Sequence, residues 1–384
     1  HNTRVRRNFD EAADTYRTAM AEMGVGCEAC HGPMADHNAW QAKNPNQSGD
    51  PTVRKITRQE MFSVCAQCHS RRAELTGDFK PGENFFDHHQ LTIPDEADIF
   101  YPDGQIRDED YEFTAFLGSK MHAAGVRCVD CHEPHSMKLR VPGNLMCMSC
   151  HGNVLTNGAP HINLDTHSFH RPKNTPTPGE HKSAALIGSG DECVHCHMPV
   201  TTYMQRHPRH DHGFTIPDPR LTKELGIPNA CNRCHTNQTA DWSLEAINKW
   251  YGPRTNELMR TRATAVAKAR AGDAAAVPTL VRMVESDTNA FWRAVAANLL
   301  KRWPESPGAS GALLKAVTDT NELLRAMAVR GLEPLVASEN ATVLAALNAR
   351  LADPVRAVRT EAAWALNHSL DTNSPAGRDL LAQL

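Results

Sequence analysis

Two patterns of apolar and polar positions divide the chain near residue 240. Up to that point apolar residues come in short runs, broken by Pro, Gly, Asn and Asp, and only brief elements are expected. A helix is predicted over Asp10 to Met23, ended by Gly24 and Gly26, which let the backbone close before Cys27. A short helical run leads into Cys65, a solvated hairpin is expected around Asp103-Gly104, and Gly125 reads as a helix stop. Residues 41 to 56 and 152 to 190 read as loops. From Ala240 to Leu384 the chain is rich in Ala, Leu, Val and Arg, with no Cys and one His, His368.

This second part repeats itself. Asp287-x4-Trp292-Arg293-x2-Ala296, Asp319-x4-Leu324-Arg325-x2-Ala328 and Asp353-x4-Val358-Arg359-x2-Ala362 share one spacing. An apolar helix precedes each: Val277 to Val284, Ala312 to Val317 and Val343 to Leu351. The Asp suits the turn and the N-cap of the following helix, the small Ala permits close helix packing, and the Arg falls on the flank. The arrangement resembles HEAT repeats, helix pairs stacked into a short solenoid, with an irregular helical bundle as the alternative. The expected domains are therefore 1–240 and 241–384.

Composition narrows the class. A chain of 384 residues is long enough for two or three domains. Hydrophobic residues make up 40% and aromatic residues 6%, so the first part must find apolar bulk elsewhere than in its side chains. A formal net charge of -3 gives no support to nucleic-acid binding, and no Lys/Arg block suggests an anionic membrane surface. No apolar run approaches the length of a transmembrane helix.

The missing apolar bulk is explained by the cysteines. All 12 fall into six Cys-x-x-Cys-His units: Cys27/Cys30/His31, Cys65/Cys68/His69, Cys128/Cys131/His132, Cys147/Cys150/His151, Cys193/Cys196/His197 and Cys231/Cys234/His235. Each unit is the attachment signal for a c-type haem, whose vinyl groups take the two thiols and whose iron takes the His. Chance would give roughly a few hundredths of one such pentapeptide in a chain of this composition. A zinc ribbon needs no His after every Cys pair, and a redox dithiol does not recur six times. Only fourteen residues separate His132 from Cys147, so haems must lie against one another as well as against protein. Six covalent haems c are expected, with more if the chain extends upstream.

An iron held by one His has a second axial face, and the supply of imidazoles is ample. Twelve His stand outside the motifs before residue 240, leaving aside His1 and His195. His37 lies six residues past an attachment site, His88 and His89 form a pair, and His122 closely precedes Cys128. Pro134 keeps His135 from folding back to its own iron, so an adjacent haem is the easier target. His161, His167, His170 and His181 precede Cys193, where at least one ligand and at least two bland residues are expected; His207, His210 and His212 precede Cys231. His195, inside its motif, is aimed away from the iron.

Residues 1 to about 240 resemble the tetrahaem-to-octahaem c-type cytochromes that include relatives of hydroxylamine oxidoreductase. The stretches that carry the resemblance are Gly26-Cys-Glu-Ala-Cys-His-Gly-Pro, Ala124-Gly-Val-Arg-Cys-Val-Asp-Cys-His-Glu-Pro-His, Cys196-His-Met-Pro and Pro228-Asn-Ala-Cys-Asn-Arg-Cys-His. The resemblance implies a mainly α fold with large irregular loops and haems in stacked and edge-on pairs. It implies proximal ligation by the six motif His and distal ligation by His37, His122, His135, His212, His170 and one of His88 and His89, His88 being the one named here. No Cys-x-x-Cys-Lys occurs, so the lysine-ligated active haem of the nitrite-reducing relatives is missing.

Two functions are open at this point. The first is electron transfer through closely packed, mostly bis-His haems in the periplasm or outside the cell, with the helical repeats docking a redox partner or sister subunit in a homo-oligomer or larger complex. The second is a multihaem oxidoreductase acting on a small nitrogen or sulfur compound at one haem with an open site. The surplus of His favours the first. His1 is expected to close an attachment motif whose cysteines lie upstream; the alternatives are the first mature residue or a distal ligand from a free N-terminus.

Overall fold

The computed structural model describes the chain except for residues 1, 96, 109–110, 153–157, 171–189, 204–205, 253–255 and 382–384. The expectations for His1 and His181 therefore lie outside the described residues. Among the described residues short helices and loops dominate up to residue 240, joined by four two-stranded antiparallel sheets, and helices dominate beyond it. This is the mainly α, loop-rich class expected. The chain divides into two compact units, one of His1–Thr92, Arg127–Val129 and Leu313–Leu384, the other of Ile93–Val126 and Asp130–Ala312. Each unit joins motif-bearing loops to helices from beyond residue 240, so the units and the change in composition do not coincide.

In the first unit the helix expected over Asp10 to Met23 is a hairpin instead. Phe9–Asp10 pairs with Thr15–Tyr16, and single bridges extend the pairing through Arg6↔Ala19 and Thr3↔Glu22. The cause is local turn chemistry. Asp10 Oδ1 accepts from Ala13 N at 3.1 Å, and Asn8 and Asp14 both adopt left-handed backbone at φ 47°. Asn and Asp reach that conformation at low cost, and their side chains offer the backbone bonds that a helix would otherwise make.

The Arg58–Ala66 helix, which carries Cys65, starts at a capping box formed by Thr57 and Glu60. Phe62, Val64, Leu75, Phe79, Phe85 and Leu91 are buried around it. The Glu322–Leu332 and Arg356–Ala365 helices pack on each other, and Leu324, Ala328, Val358 and Ala362 have no exposed surface. Asp87 ties the motif side to this helical side by accepting from Arg356 N at 2.7 Å.

In the second unit, helices Glu257–Arg270, Val277–Ser286 and Ala290–Leu300 hold the loops of residues 94–119. Trp292 Nε1 donates to Gly118 O at 3.0 Å, and Arg270 donates to Phe100 O at 2.8 Å and Pro94 O at 3.0 Å. The turn at Asp103-Gly104 forms, with a bridge between Phe100 and Ile106, but it is not solvated. Asp103, Gln105, Phe100 and Ile106 are all buried, because Gln105 satisfies the Asp103 carboxylate through both its backbone and its side-chain nitrogen.

The repeated Asp and Arg have sharper roles than their spacing indicated. Asp287, Asp319 and Asp353 do not cap the following helix. Each accepts from the backbone N–H two residues on, at Asn289, Asn321 and Val355. Nor do the repeated Arg simply lie on the flank. Arg325 grips Asp353 and Arg359 grips Asp379, each through Nε and Nη2. Arg293 donates from Nε to Val284 O at 2.8 Å, and it is Arg262, outside the repeat, that grips Asp287. The expected role of the Ala holds, since Ala296, Ala328 and Ala362 have no exposed surface.

Candidate haem-attachment sites

A Cys at one position, a Cys three residues on and a His four residues on share one face of a helical turn. The structure builds these turns. His31 N, His69 N and His235 N each donate to the carbonyl of the first Cys of their motif, at 2.9 Å. The other motifs lie on helices Cys128–Cys131, Asn144–His151 and Cys193–His197. These three, and the Glu28–His31 helix of the first motif, bury none of their own residues. Such turns offer a flat group an open face, two thiols and an imidazole. None of the twelve thiols is tied up in a disulfide, as covalent attachment of haem would require. Haem fits this donor set.

Cys150, expected to take a haem vinyl group, has a polar neighbour: the Ser149 Oγ lies 3.8 Å from its Sγ. The physical reason is the helical turn itself, which folds the Ser149 hydroxyl back to Met146 O at 2.7 Å and so brings it beside the next side chain. A hydroxyl has one proton, and the carbonyl oxygen is the stronger acceptor, so the sulfur receives the weaker share. A thioether sulfur accepts as well as a thiol sulfur does, and Cys150 is only half-buried, so the contact leaves attachment open.

Neighbouring motifs also touch. In the first unit Gln67 Nε2 donates to Ala29 O at 3.4 Å, joining the second motif to the first. The Cys65 and Cys128 thiols are hydrogen-bonded, which pushes the Cys65 thiol pKa up and draws that of Cys128 down. In the second unit Cys147 bonds Cys193 in the same way and lies close enough to Cys131 to feel its charge. Asn144 fastens the fourth motif to the fifth, donating to Asp191 O at 2.8 Å and accepting from Cys193 N at 2.9 Å. Burial, with help from Cys231 and Cys234, pushes the Cys196 thiol up to about 11.

Three motif imidazoles face a second imidazole. His132 stands opposite His212, ring centroids 6.3 Å apart and planes 27° from parallel. His167 faces His197 at 5.9 Å and 21°, and His170 faces His235 at 6.1 Å and 36°. Two metal–imidazole bonds of about 2 Å each, plus the distance from ring nitrogen to ring centre, give about 6 Å between centroids across one metal ion. These gaps are the size of an iron in the plane of a porphyrin.

The outer nitrogens agree. Imidazole ligands usually donate their second N–H to a carbonyl or carboxylate, which fixes the tautomer. Nδ1 donates to a backbone carbonyl from His31 (Arg54 O, 3.0 Å), His151 (Pro160 O, 2.9 Å), His197 (Thr215 O, 3.0 Å), His170 (Ser168 O, 2.7 Å) and His212 (His210 O, 2.8 Å). In each, Nε2 is left with its lone pair. Burial depresses the pKa of His197, His212 and His167, holding them in the neutral form that a metal needs.

The other expected ligands are placed differently. His37 Nδ1 bonds the buried carboxylate of Asp50 at 2.6 Å. His122 lies in the Lys120–Ala123 turn, donates its backbone N–H to the Ser119 cap at 3.0 Å and meets Phe116 edge-on at 5.5 Å. His88 has both ring nitrogens engaged, Nδ1 with Thr76 and Nε2 with Glu83 at 3.0 Å. Beside it His89 is buried, accepts from Arg72 at Nδ1, and has no hydrogen-bond partner at Nε2. With Nδ1 accepting, the ring proton of neutral His89 sits on Nε2, so in this arrangement neither His88 nor His89 offers a lone pair to a metal. His135 lies in a hairpin turn with its side chain 80% exposed and Nδ1 beside Glu133 at 3.2 Å. His195 bonds Glu192, in line with its expected bland role. His167 was not among the named ligands, and nothing in its local sequence marks it above His161. His210 also shows the ligand-like pattern, donating from Nδ1 to Met198 O at 2.7 Å.

No protein-family model matches the chain. Over 161 residues, 36% of this chain and 45% of the other, it is 26% identical to the multihaem cytochrome MtrA of Shewanella baltica. The match thus spans less than half the length of that relative. The crystal structure of the outer cell wall cytochrome OcwA is a loose likeness, at TM-score 0.44 and 19% identity over 87% of this chain and 74% of that one. No helix among the described residues is long and apolar enough to cross a membrane.

Proposed function

We propose that this chain, a multihaem c-type cytochrome, passes electrons along six covalent haems c. The observation that carries the proposal is the set of three imidazole pairs about 6 Å apart, each containing one motif His. His212 would complete the iron of the third motif, His167 that of the fifth and His170 that of the sixth. His37, His122 and His135, with one of His88 and His89, are the candidates for the remaining irons. Two imidazoles fill both axial positions, which excludes substrate and permits outer-sphere transfer; they also give lower potentials than a His/Met set. Backbone carbonyls would orient the imidazoles of His31, His151, His170, His197 and His212, and burial would keep His167, His197 and His212 neutral for a metal.

The contacts between motifs support transfer in sequence order within each unit, first to second and second to third in one, third through sixth in the other. The Arg–Asp pairs support HEAT-like repeats, whose surfaces would dock a redox partner or a sister subunit. Because haem c is attached outside the cytoplasm in bacteria, we place the chain in the periplasm or beyond the cell, and keep the kinship with hydroxylamine oxidoreductase relatives within the same proposal. Potentiometric titration of the purified holoprotein tests this reading. It should take up six electrons per chain reversibly, with a curve that nitrite and hydroxylamine leave unchanged. A haem whose potential or spectrum moves with either compound would favour an open-site oxidoreductase.

A further inference from the structure

Two of the three distal imidazoles sit on one stretch of chain, His167-Ser-Phe-His170, yet face different motif His. The stretch follows a single helical turn, Leu164–His167, started by the Asn163 side chain. Between the two His, Phe169 adopts left-handed backbone at φ 55°, uncommon for a bulky residue. That turn sends His167 toward His197 and His170 toward His235. The side chain that forces it is not in a core: Phe169 is 53% exposed.

What holds this stretch is the end of one helix. The Ala240–Tyr251 helix starts at a Thr239 cap and buries Ser243 and Ile247, so it is a fixed element of its unit. Its last two residues grip the ligand-bearing stretch. Trp250 stacks face to face on Phe169, centroids 4.8 Å apart and planes 9° from parallel, and meets His170 edge-on at 6.2 Å. Tyr251 lies 5.9 Å from His167 and 6.0 Å from Phe169, and its hydroxyl donates to His167 O. At the other end of the helix Trp242 lies 4.9 Å from His235.

We infer that Trp250 and Tyr251 are positioning residues that hold both distal ligands, so that the fifth and sixth haems keep or lose their sixth ligand together. The inference rests on the bis-His reading of those two haems. Loosening the grip on Phe169 releases His167 and His170 as one body and opens two neighbouring irons to a small neutral ligand. An open site is then a property of this aromatic clamp rather than of either His alone.

Carbon monoxide, which binds ferrous haem only where an axial position is open, is the probe. The full-length holoprotein is reduced with dithionite and titrated with the gas, and bound CO is counted per chain. Relative to the parent, His167→Ala and His170→Ala should each add one CO. Trp250→Ala should add two, and Trp250→Phe, which keeps a stacking ring, should add none. Phe169→Gly gives a second route that does not depend on Trp250→Ala folding: glycine keeps the left-handed turn but removes the ring, and should also add two. If the single His variants each add one while Trp250→Ala and Phe169→Gly add none, the clamp is refuted and the ligand assignment stands. If neither His variant adds a CO, the ligand assignment itself is wrong and the clamp falls with it. More than two added by Trp250→Ala would mean general loosening and would also overturn a local clamp.

Discussion

Asp353→Ala isolates what the repeated Asp and Arg do. Arg325 Nε and Nη2 meet the two carboxylate oxygens of Asp353, each at 2.9 Å, and the Asp353 side chain is 1% exposed. Removing one partner of a buried pair costs about 3–5 kcal/mol, because the other charge stays buried. Two features place this site within that range. Arg325 Nη1 still reaches Asp319 O at 2.9 Å and Thr320 O at 3.1 Å, which softens the loss. Asp353 also accepts from Val355 N at 3.0 Å, and losing that bond adds about 1 kcal/mol. The expected cost is about 4 kcal/mol. Denaturant unfolding followed by far-ultraviolet circular dichroism measures it, with the Soret band as a separate probe of the haems. Arg350 Nη1 also reaches Asp353, at the longer 3.4 Å, so adding Arg325→Met removes the more closely paired of two stranded charges. The double variant should then be more stable than the sum of the two single losses by about 2 kcal/mol. Single losses that simply add, within about 0.5 kcal/mol, would refute the reasoning.

Further outcomes are expected elsewhere. Burial raises the Asp103 carboxyl to about 6, above its unfolded value, so the native state holds the extra proton and stability falls as pH rises from about 4 to about 6. Asp103→Asn cannot titrate, and relative to the parent it should gain about 3 kcal/mol over that window in denaturation curves; parallel curves would contradict this. Gly104 has φ 89°, and a Cβ there would stand 3.1 Å from the Trp292 ring, so Gly104→Ala should cost about 2 kcal/mol in the same assay. His212→Ala should turn one haem of the set high-spin in resonance Raman spectra, and an unchanged spectrum would remove His212 as the partner of His132.

The attachment motifs were legible because the covalent chemistry expected of them fixes their spacing within one helical turn, and every cysteine falls in one. What that spacing could not show is the company each thiol keeps, such as Ser149 beside Cys150, because a side-chain hydroxyl chooses its acceptor only once the turn has formed. Distal ligands carry no such constraint of spacing. They arrive from elsewhere in the chain, so His212 and His170 were named through resemblance, His167 was not, and His135, named with them, stands 80% exposed on a turn. The helices beyond residue 240 showed in the period of their apolar positions, but that period could not say that Arg325 reaches forward to Asp353, since the contact depends on how successive helices stack. The first hairpin was read as a helix because Ala12, Ala13, Ala19 and Ala21 favour one, while Asn8 and Asp10 decided the matter through side-chain bonds to the backbone.

The central claim is that the haem irons are closed on both faces by His, and electron paramagnetic resonance of the fully oxidised holoprotein tests it most directly. Spin quantification should find low-spin ferric signals accounting for most or all of the haem counted by pyridine haemochrome assay, unchanged by nitrite or hydroxylamine. A high-spin signal from a large share of the haem, or one that shifts when either compound is added, would contradict it.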